Sequence, residues 1–309
     1  PRFTKQVYAA IAKNRDDLIN DINAGFKVIS NEELLEIEAR WIVNPEYRII
    51  AKQSKQAVSF TEAEKKWLAR HPVIRLGLDP AWPPIEFIDN AGVHKGISSD
   101  YIRIFEERTG VRIEPIPNLT WPQVMDKAEK REIDILACVT RTAARETFLN
   151  FTRPYLSLPL VLITRDDAPL INSIQDMGGR KLAIPRGYAV QEWLERDYGE
   201  LELVLVNSVA DGLRSVLEKE AMAFIGNLTV ASFLINKKGL NNLKIVAATP
   251  YTMELSVAVR KDWPELVWIL DKCFMSISER QHSHIYNKWT SVSPKDKTDW
   301  EFIIGLAAS

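Results

Sequence analysis

The chain has 309 residues, 46% of them apolar and 26% charged, which gives room for two or more domains with cores of their own. Its 40 basic and 41 acidic residues leave a net charge of −1, which speaks against a broad electrostatic footprint for nucleic acid or an anionic membrane. No run reaches the roughly 18 apolar residues of a membrane span. The two cysteines, Cys138 and Cys273, have no metal-ligand or redox spacing and read as core residues.

In chain order, the first feature is a repeat. Residues 4–41 and 252–289 align without a gap at an offset of 248, and about nine of the 38 positions are identical, from Thr4/Thr252 to Trp41/Trp289. Each copy predicts a short alternating strand (Val7, Ala9, Ile11 in one; Leu255, Val257, Val259 in the other). A helix follows, and then a second helix capped by Ser30 or Ser278 and ending near the Trp. A repeat at this separation is a whole domain, and its second copy closes one. Residues 1–41 therefore read as the C-terminal tail of a preceding, similar domain. Residues 42–60 read as a linker, with Asn44-Pro45 and the polar run Lys52-Gln53-Ser54-Lys55-Gln56.

Thr61-Glu62-Ala63-Glu64 has the pattern of a capping box and predicts a helix to about Arg70. From Pro72 onward strands and helices alternate, the mark of an α/β fold. Val73–Leu78 predicts a strand, followed by the Pro-rich loop Asp79–Pro84. Ser98 and Ser99 predict the cap of a helix through Glu107, closed by Gly110. Strands over Val111–Pro115 and Ile133–Ala137 flank a helix over Trp121–Lys130. Tyr155–Thr164 predicts a long apolar strand leaving this first lobe. A second set has strands at Lys181–Ile184, Glu202–Val206, Ala221–Ile225 and Leu243–Ala247, with helices over Ala189–Arg196, Ala210–Lys219 and Val230–Asn236. The chain then returns through Leu255–Val259 to two closing helices. One set is thus inserted in the other, with lobe 1 over about 72–165 and 250–289 and lobe 2 over about 166–249. Two crossing segments, near 164–168 and 247–253, form a hinge, and a ligand is expected in the crevice at the strand C-termini.

One stretch is more specific. Ile135–Tyr155 runs from a strand through Cys138, Thr140 and Arg145 to Phe151-Thr152-Arg153-Pro154-Tyr155. It resembles the family-3 bacterial extracellular solute-binding proteins. Arg75–Asp79 with Pro83–Phe87 resembles that family's first strand and binding loop, and Gly96–Asp100 resembles its first helix start. The resemblance covers about residues 61–289. Together with the tail repeat and the apolar end Trp300–Ser309, the arrangement is similar to the tandem periplasmic regions of BvgS-type sensor histidine kinases.

The resemblance implies a two-lobed periplasmic binding protein type II fold, a Venus flytrap, that takes a small organic acid or amino-acid-like ligand and signals by lobe closure in a two-component system. It implies the periplasmic portion of a bacterial inner-membrane protein, a preceding flytrap domain in the same chain and a homodimeric receptor. Residues 290–309 then read as a juxtamembrane segment, although the same residues also read as a frayed tail. Two alternatives share the fold: a free solute-binding protein of an ABC transporter, and a dehydratase or transglycosylase-associated domain.

By the same resemblance, Arg145 matches the arginine that clamps a ligand carboxylate, a role its planar fork of donors suits. A salt bridge to Glu146 or a nearby acid is the plainer reading. Thr140 and the peptide of Cys138 match donors beside that carboxylate, with Cys138 replacing the usual Gly. Asp79 and Trp82 match the first binding loop, and Trp121 an aromatic that covers the ligand; both tryptophans also read as lobe packing. Gly187 and Tyr188 match a turn before a helix whose N–H groups hold an anion or carbonyl. Asn227 stands where the family has an Asp for the α-ammonium, so a carboxylate or aromatic acid fits better than a standard α-amino acid. No catalytic residue, metal ligand or cofactor motif is expected. Glu86, Asp79 and Asp100 have plain binding or helix-start roles, and His282 and His284 are two apart and do not share a helix face. No GxSxG, HExxH or P-loop pattern occurs.

Overall fold

The chain divides into two units, Pro1–Ala57 and Val58–Ser309. The computed structural model describes residues 18, 21–22, 24–25, 29, 31–42 and 58–290. In the first unit the described helix is α1 (Asn31–Trp41). The offset of the repeat sets α1 on Glu279–Trp289, which is also helical in the second unit. The expected strand over 7–11, the linker over 43–57 and the apolar segment 291–309 lie outside the described residues.

In the second unit, Thr61 caps α2 (Glu62–Arg70) through a reciprocal box: the Glu64 N–H donates to Thr61 Oγ1 at 3.3 Å and the Thr61 N–H to Glu64 Oε2 at 2.7 Å. Lobe 1 then runs β1 (Val73–Gly77), β2 (Ala81–Trp82), β3 (Glu86–Ile88), β4 (His94–Lys95), α3 (Ile97–Thr109), β5 (Arg112–Pro115), α4 (Trp121–Glu129), β6 (Ile135–Thr140), the single turn α5 (Ala143–Glu146) and β7 (Leu149–Phe151). The chain leaves on β8 (Leu156–Arg165). Lobe 2 follows a short 3-10 turn with β9 (Lys181–Pro185), α6 (Ala189–Asp197), β10 (Glu202–Val206), α7 (Val209–Leu217), β11 (Ala223–Asn227) and α8 (Leu228–Lys238). The return is β12 (Leu243–Arg260), then α9 (Pro264–Met275) and α10 (Glu279–Thr290).

The strand order is β10-β9-β11-β8-β12-β6-β1-β5, with β7 also on β12, while β2-β3-β4 form a small antiparallel sheet of their own. Pairing is parallel within each lobe (β1 with β5 and β6; β9 with β10 and β11) and antiparallel where β8 and β12 meet their neighbours. The parallel strands are sequestered on both faces: every residue of β6 and of β11 is buried. Each large side chain fully withdrawn from water there contributes about 1.5–3 kcal/mol.

β8 and β12 form one long antiparallel pair from Leu156↔Leu255 to Leu243↔Arg165, and this pair is the passage between the lobes. Residues 243–247 and 255–259, predicted as two strands, are therefore one. The passage also comes earlier on β8 than the expected boundary near 165, because Leu160–Thr164 already pair with β11. Two prolines mark the place. Pro159 faces Thr252, and the register slips between Ala248 and Thr252, around Pro250, which has no N–H for the ladder.

The start of α3 also differs from expectation. Gly96, not Ser98 or Ser99, is its N-cap, at φ 107°. A Cβ there would meet the Ile85 carbonyl oxygen at 2.5 Å, so only glycine lets the helix start this close to the β2–β3 turn. Asp134 ties lobe 1 together from within. It accepts from Arg75 Nη2 at 2.7 Å and from Arg260 Nη1 at 3.0 Å, joining β1 to the end of β12.

Candidate ligand-binding cleft

β1 delivers Asp79 to the seam between the lobes, and the turn after it folds back through β2 and β3. The Asp79 N–H donates to Glu86 Oε1 at 2.9 Å, and Asp79 Oδ1 accepts from the Ala81 N–H at 2.9 Å. Asp79 Oδ2 accepts a hydrogen bond from the Tyr188 phenol of lobe 2. Burial lifts the Asp79 carboxyl above its ordinary range, and the bonds from Tyr188 and Ala81 offset part of that rise. Burial, with the Asp79 charge adding to it, raises Glu86 well above the carboxylate range. Glu86 Oε2 is buried without a partner.

β6 runs into α5, whose cap Thr142 brings Arg145 back under the seam. Arg145 is 4% exposed. Its Nη1 donates to the Thr140 carbonyl at 2.7 Å, and its Nη2 crosses to the Gly187 carbonyl of lobe 2 at 2.9 Å. Burial lowers its pKa to about 10, so the guanidinium keeps its charge at neutral pH. The salt-bridge reading does not hold: Glu146 pairs with Arg141, at 3.6 Å. Trp121, at the start of α4, gives its Nε1–H to the same Gly187 carbonyl at 3.1 Å, and its ring lies 5.8 Å from the Arg145 guanidinium. Farther along the seam Thr142 Oγ1 donates to Glu192 Oε1 at 3.2 Å.

Between these groups lies a cavity of about 20 Å³, lined by Asp79, Trp82, Trp121, Cys138, Thr140, Arg145 and Tyr188, with Val139, Ala189 and Met253. Its volume is that of about one water. The Tyr188 ring fills the seam, with edge contacts to Trp82 at 5.9 Å and Trp121 at 6.2 Å. Cys138 Sγ lies 2.7 Å from the Tyr155 hydroxyl, which donates onward to the Ala137 carbonyl at 2.8 Å. Trp82 Nε1 and Thr140 Oγ1 are buried with no partner.

Seven of the nine residues singled out in the sequence thus line one cavity, and Gly187 borders it through its carbonyl. Two roles change. The turn at Gly187 and Tyr188 does not offer free N–H groups: the Gly187 N–H donates to Gln191 Oε1 at 3.1 Å and the Tyr188 N–H to the Pro185 carbonyl at 3.4 Å. It is the Gly187 carbonyl that faces the donors, Arg145 and Trp121. Asn227 is not among the lining residues. Its Oδ1 caps α8 by accepting from the Val230 N–H at 3.1 Å, which leaves its Nδ2 buried and unpartnered. Met253 and Glu192 carried no signal in the sequence, because each reaches the seam from an element whose pairing only the fold sets.

Two α/β lobes on a paired-strand hinge, with a polar seam between them, define a Venus-flytrap binding domain. The profile of the bacterial extracellular solute-binding proteins, family 3, matches residues 74–292, and the chain belongs to that family. Among curated proteins, the chain is 27% identical over 243 residues to the virulence sensor protein BvgS of Bordetella pertussis, covering 78% of this chain and 20% of that one. It is 22% identical over 294 residues to the sensor protein EvgS of Escherichia coli, covering 94% of this chain and 24% of that one. The chain thus spans about a fifth to a quarter of these sensors. Among solved structures, the BvgS VFT2 domain of Bordetella pertussis matches with a TM-score of 0.68 at 27% identity, over 75% of this chain and 99% of that one. The BvgS periplasmic domain of B. pertussis matches with a TM-score of 0.71 at 25% identity, over 81% and 49%.

Proposed function

We propose that this chain is the periplasmic sensing part of a membrane-bound receptor, a sensor histidine kinase, and that its second unit binds a small carboxylate between the lobes. One observation carries the ligand class. Arg145 is a buried guanidinium at the seam whose fork is held by two backbone carbonyls, and among the described residues it makes no ion pair, Glu192 acting on it through its charge alone. Trp82 Nε1 and Thr140 Oγ1 beside it are donors without acceptors. A carboxylate supplies both the charge and the lone pairs. An α-ammonium finds no matching charge at Asn227, which leaves Asp79 as the acid in the lining to compensate in part.

The sensor reading is supported by the likeness to BvgS and EvgS across most of this chain. The tail reading of residues 1–41 is supported by the repeat, which sets one helix on another. Signalling would be a shift between closed and open lobes, set by a ligand's differential affinity for the two. α10 would pass it on: it is bonded to lobe 1 through His282 to Tyr101 and Lys288 to Asp100, and Tyr286 Oη lies 3.3 Å from Thr229 Oγ1 in lobe 2.

Thermal shift against a panel of small carboxylates tests the ligand class. A ligand bound by the native state alone adds about 2.7 kcal/mol at a hundredfold excess over Kd. The expected result is a rise in Tm with acids and not with their amides, lost in Arg145→Ala. A rise that survives Arg145→Ala, or none with any acid, contradicts the reading.

A further inference from the structure

We infer that the ligand of this cleft is a para-hydroxylated aromatic carboxylate, and that Gly187 and Tyr188 occupy its seat as an internal surrogate. This rests on the reading of Arg145 as a carboxylate anchor and adds the remainder of the ligand.

Two consecutive residues of lobe 2 make all the contacts that define the seat. The Gly187 carbonyl receives two converging donors, Arg145 Nη2 at 2.9 Å and Trp121 Nε1 at 3.1 Å. The Tyr188 ring meets both Trp82 and Trp121 edge-on, at 78° and 77°. The phenol hydroxyl donates to Asp79 Oδ2. Lobe 1 therefore grips an acceptor at one end, an aromatic ring in the middle and an O–H donor at the far end. A small molecule that takes the place of this turn makes the same contacts in the same order.

The surrogate is an incomplete match, and the donors it leaves unpartnered in the lining point to what the true ligand carries. A peptide carbonyl is neutral and leaves Trp82 Nε1 and Thr140 Oγ1 unpartnered at 2% and 4% exposure. An indole N–H can only donate, so these atoms want further acceptor lone pairs. A carboxylate has them and the negative charge besides. Asp79 has no such deficit, because each of its oxygens has a donor, the phenol at Oδ2 and the Ala81 N–H at Oδ1. An acid without a ring forgoes both indoles. An acid whose ring lacks the hydroxyl strips Asp79 of the phenol's hydrogen bond in a buried site, a loss of roughly 10- to 100-fold in affinity. With about 20 Å³ free, ligand and Tyr188 side chain cannot share the seat, so binding is competitive with the lobe's own turn.

The test is calorimetric titration of the whole chain with para-hydroxyphenylacetate, phenylacetate and acetate, for the wild type, Tyr188→Ala, Tyr188→Phe and Asp79→Ala. Para-hydroxyphenylacetate is expected to bind Tyr188→Ala about 10-fold or more tighter than the wild type, since the competing ring is gone. Tyr188→Phe, which keeps the ring and so the packing, is expected to show a smaller gain of the same sign. Phenylacetate should bind Tyr188→Ala about 10-fold or more weaker than the hydroxylated acid, and Asp79→Ala should erase that difference. The inference is overturned if the two aromatic acids bind alike, if acetate binds as well as either, or if neither Tyr188 variant gains affinity. Those results leave the carboxylate reading standing wherever an acid still binds in a manner that Arg145→Ala abolishes. Absence of binding by every acid in every variant removes both.

Discussion

Tyr188 of lobe 2 donates its phenol hydrogen to Oδ2 of Asp79 of lobe 1, across the seam, where Asp79 is buried and Tyr188 half-buried. The bond joins a residue at the end of β1 to the turn before α6, so it exists only when the lobes are together. Its partners Arg145–Gly187 and Trp121–Gly187 lie on the same seam. A hydrogen bond of this kind contributes about 0.5–3 kcal/mol, the upper part of that span applying when the carboxyl is ionised. Tyr188→Phe should therefore move the lobes toward the open form by about that amount, read as a larger radius of gyration in solution scattering. An unchanged scattering profile would mean that packing, not this bond, holds the lobes.

Asp79 and Glu86 give the domain a pH dependence of definite sign. Burial raises both carboxyls above their ordinary range. The folded chain therefore binds these protons more tightly than the unfolded chain does. Folding takes up protons in the window above the usual carboxylate pKa, and stability falls as pH rises through the raised values. Glu86→Gln removes one of the two groups and retains an acceptor for the Asp79 N–H. Its Tm should exceed that of the wild type at neutral pH, and the two should converge as the pH is lowered toward about 5. A Glu86→Gln Tm below wild type throughout would show the ionised carboxylate to be structurally required.

Asp134 should behave in the opposite sense. Burial alone would raise it, but hydrogen bonds from Arg75 and Arg260 outweigh burial and hold its carboxyl below the usual range. Its contribution is present above the unfolded pKa and is lost as pH falls through the folded one. Removing one member of a buried pair leaves the others uncompensated, at about 3–5 kcal/mol. Partial exposure of Arg75 puts Asp134→Ala at the low end of that span. Urea denaturation at neutral pH measures it, and a cost under about 1 kcal/mol would class the pair with surface bridges.

Gly96→Ala should be far more damaging than an exposed glycine substitution. The residue has φ 107°, and the added methyl would meet the Ile85 carbonyl oxygen at 2.5 Å and the Pro84 carbonyl oxygen at 2.9 Å. Both obstacles are backbone of the turn that carries Glu86 beneath Asp79. Strain at such a position costs about 1–3 kcal/mol before any clash is counted. A loss of Tm accompanied by weaker ligand binding is expected; a Tm within a degree of wild type would contradict the packing described here.

Asp100 fixes the end of α10. It is 4% exposed and accepts from Lys288 Nζ at 2.8 Å and Trp289 Nε1 at 2.8 Å, while Trp289 packs edge-on against Phe87 of β3. Asp100→Ala should free the last turn, at a cost of about 1–3 kcal/mol for its unpaired donors. Amide exchange over residues 286–290 would rise sharply, with the β1 and β6 amides unaffected. Equal protection in the variant would show that Phe87 alone holds the helix.

Most of the lobe architecture was legible in the sequence, because it rests on local pattern. The Thr61–Glu64 box, the all-apolar run Ile135–Val139 and the Gly110 stop each sit within one element and are read from neighbours alone. Arg145, Thr140 and Trp121 were legible by resemblance. What sequence did not disclose depends on pairing between distant segments. β2, β3 and β4 are two or three residues long and interrupted by prolines, too short for a period. The Gly187 carbonyl is a backbone group, invisible to any reading of side chains. Asn227 was matched to a family ligand position by resemblance alone, and its side-chain oxygen serves the first turn of α8, a use that Asn at a strand–helix junction permits equally well.

The lobes rest together on the Tyr188–Asp79 and Arg145–Gly187 contacts, with the seat held by the lobe's own turn. Spin labels at Glu129→Cys in lobe 1 and Lys238→Cys in lobe 2, both on exposed helix ends, give the cross-lobe distance directly. In the wild-type background with no acid added, a single narrow short distribution is expected, lengthening and broadening in Tyr188→Ala. A long or broad wild-type distribution that Tyr188→Ala leaves unchanged would contradict the account.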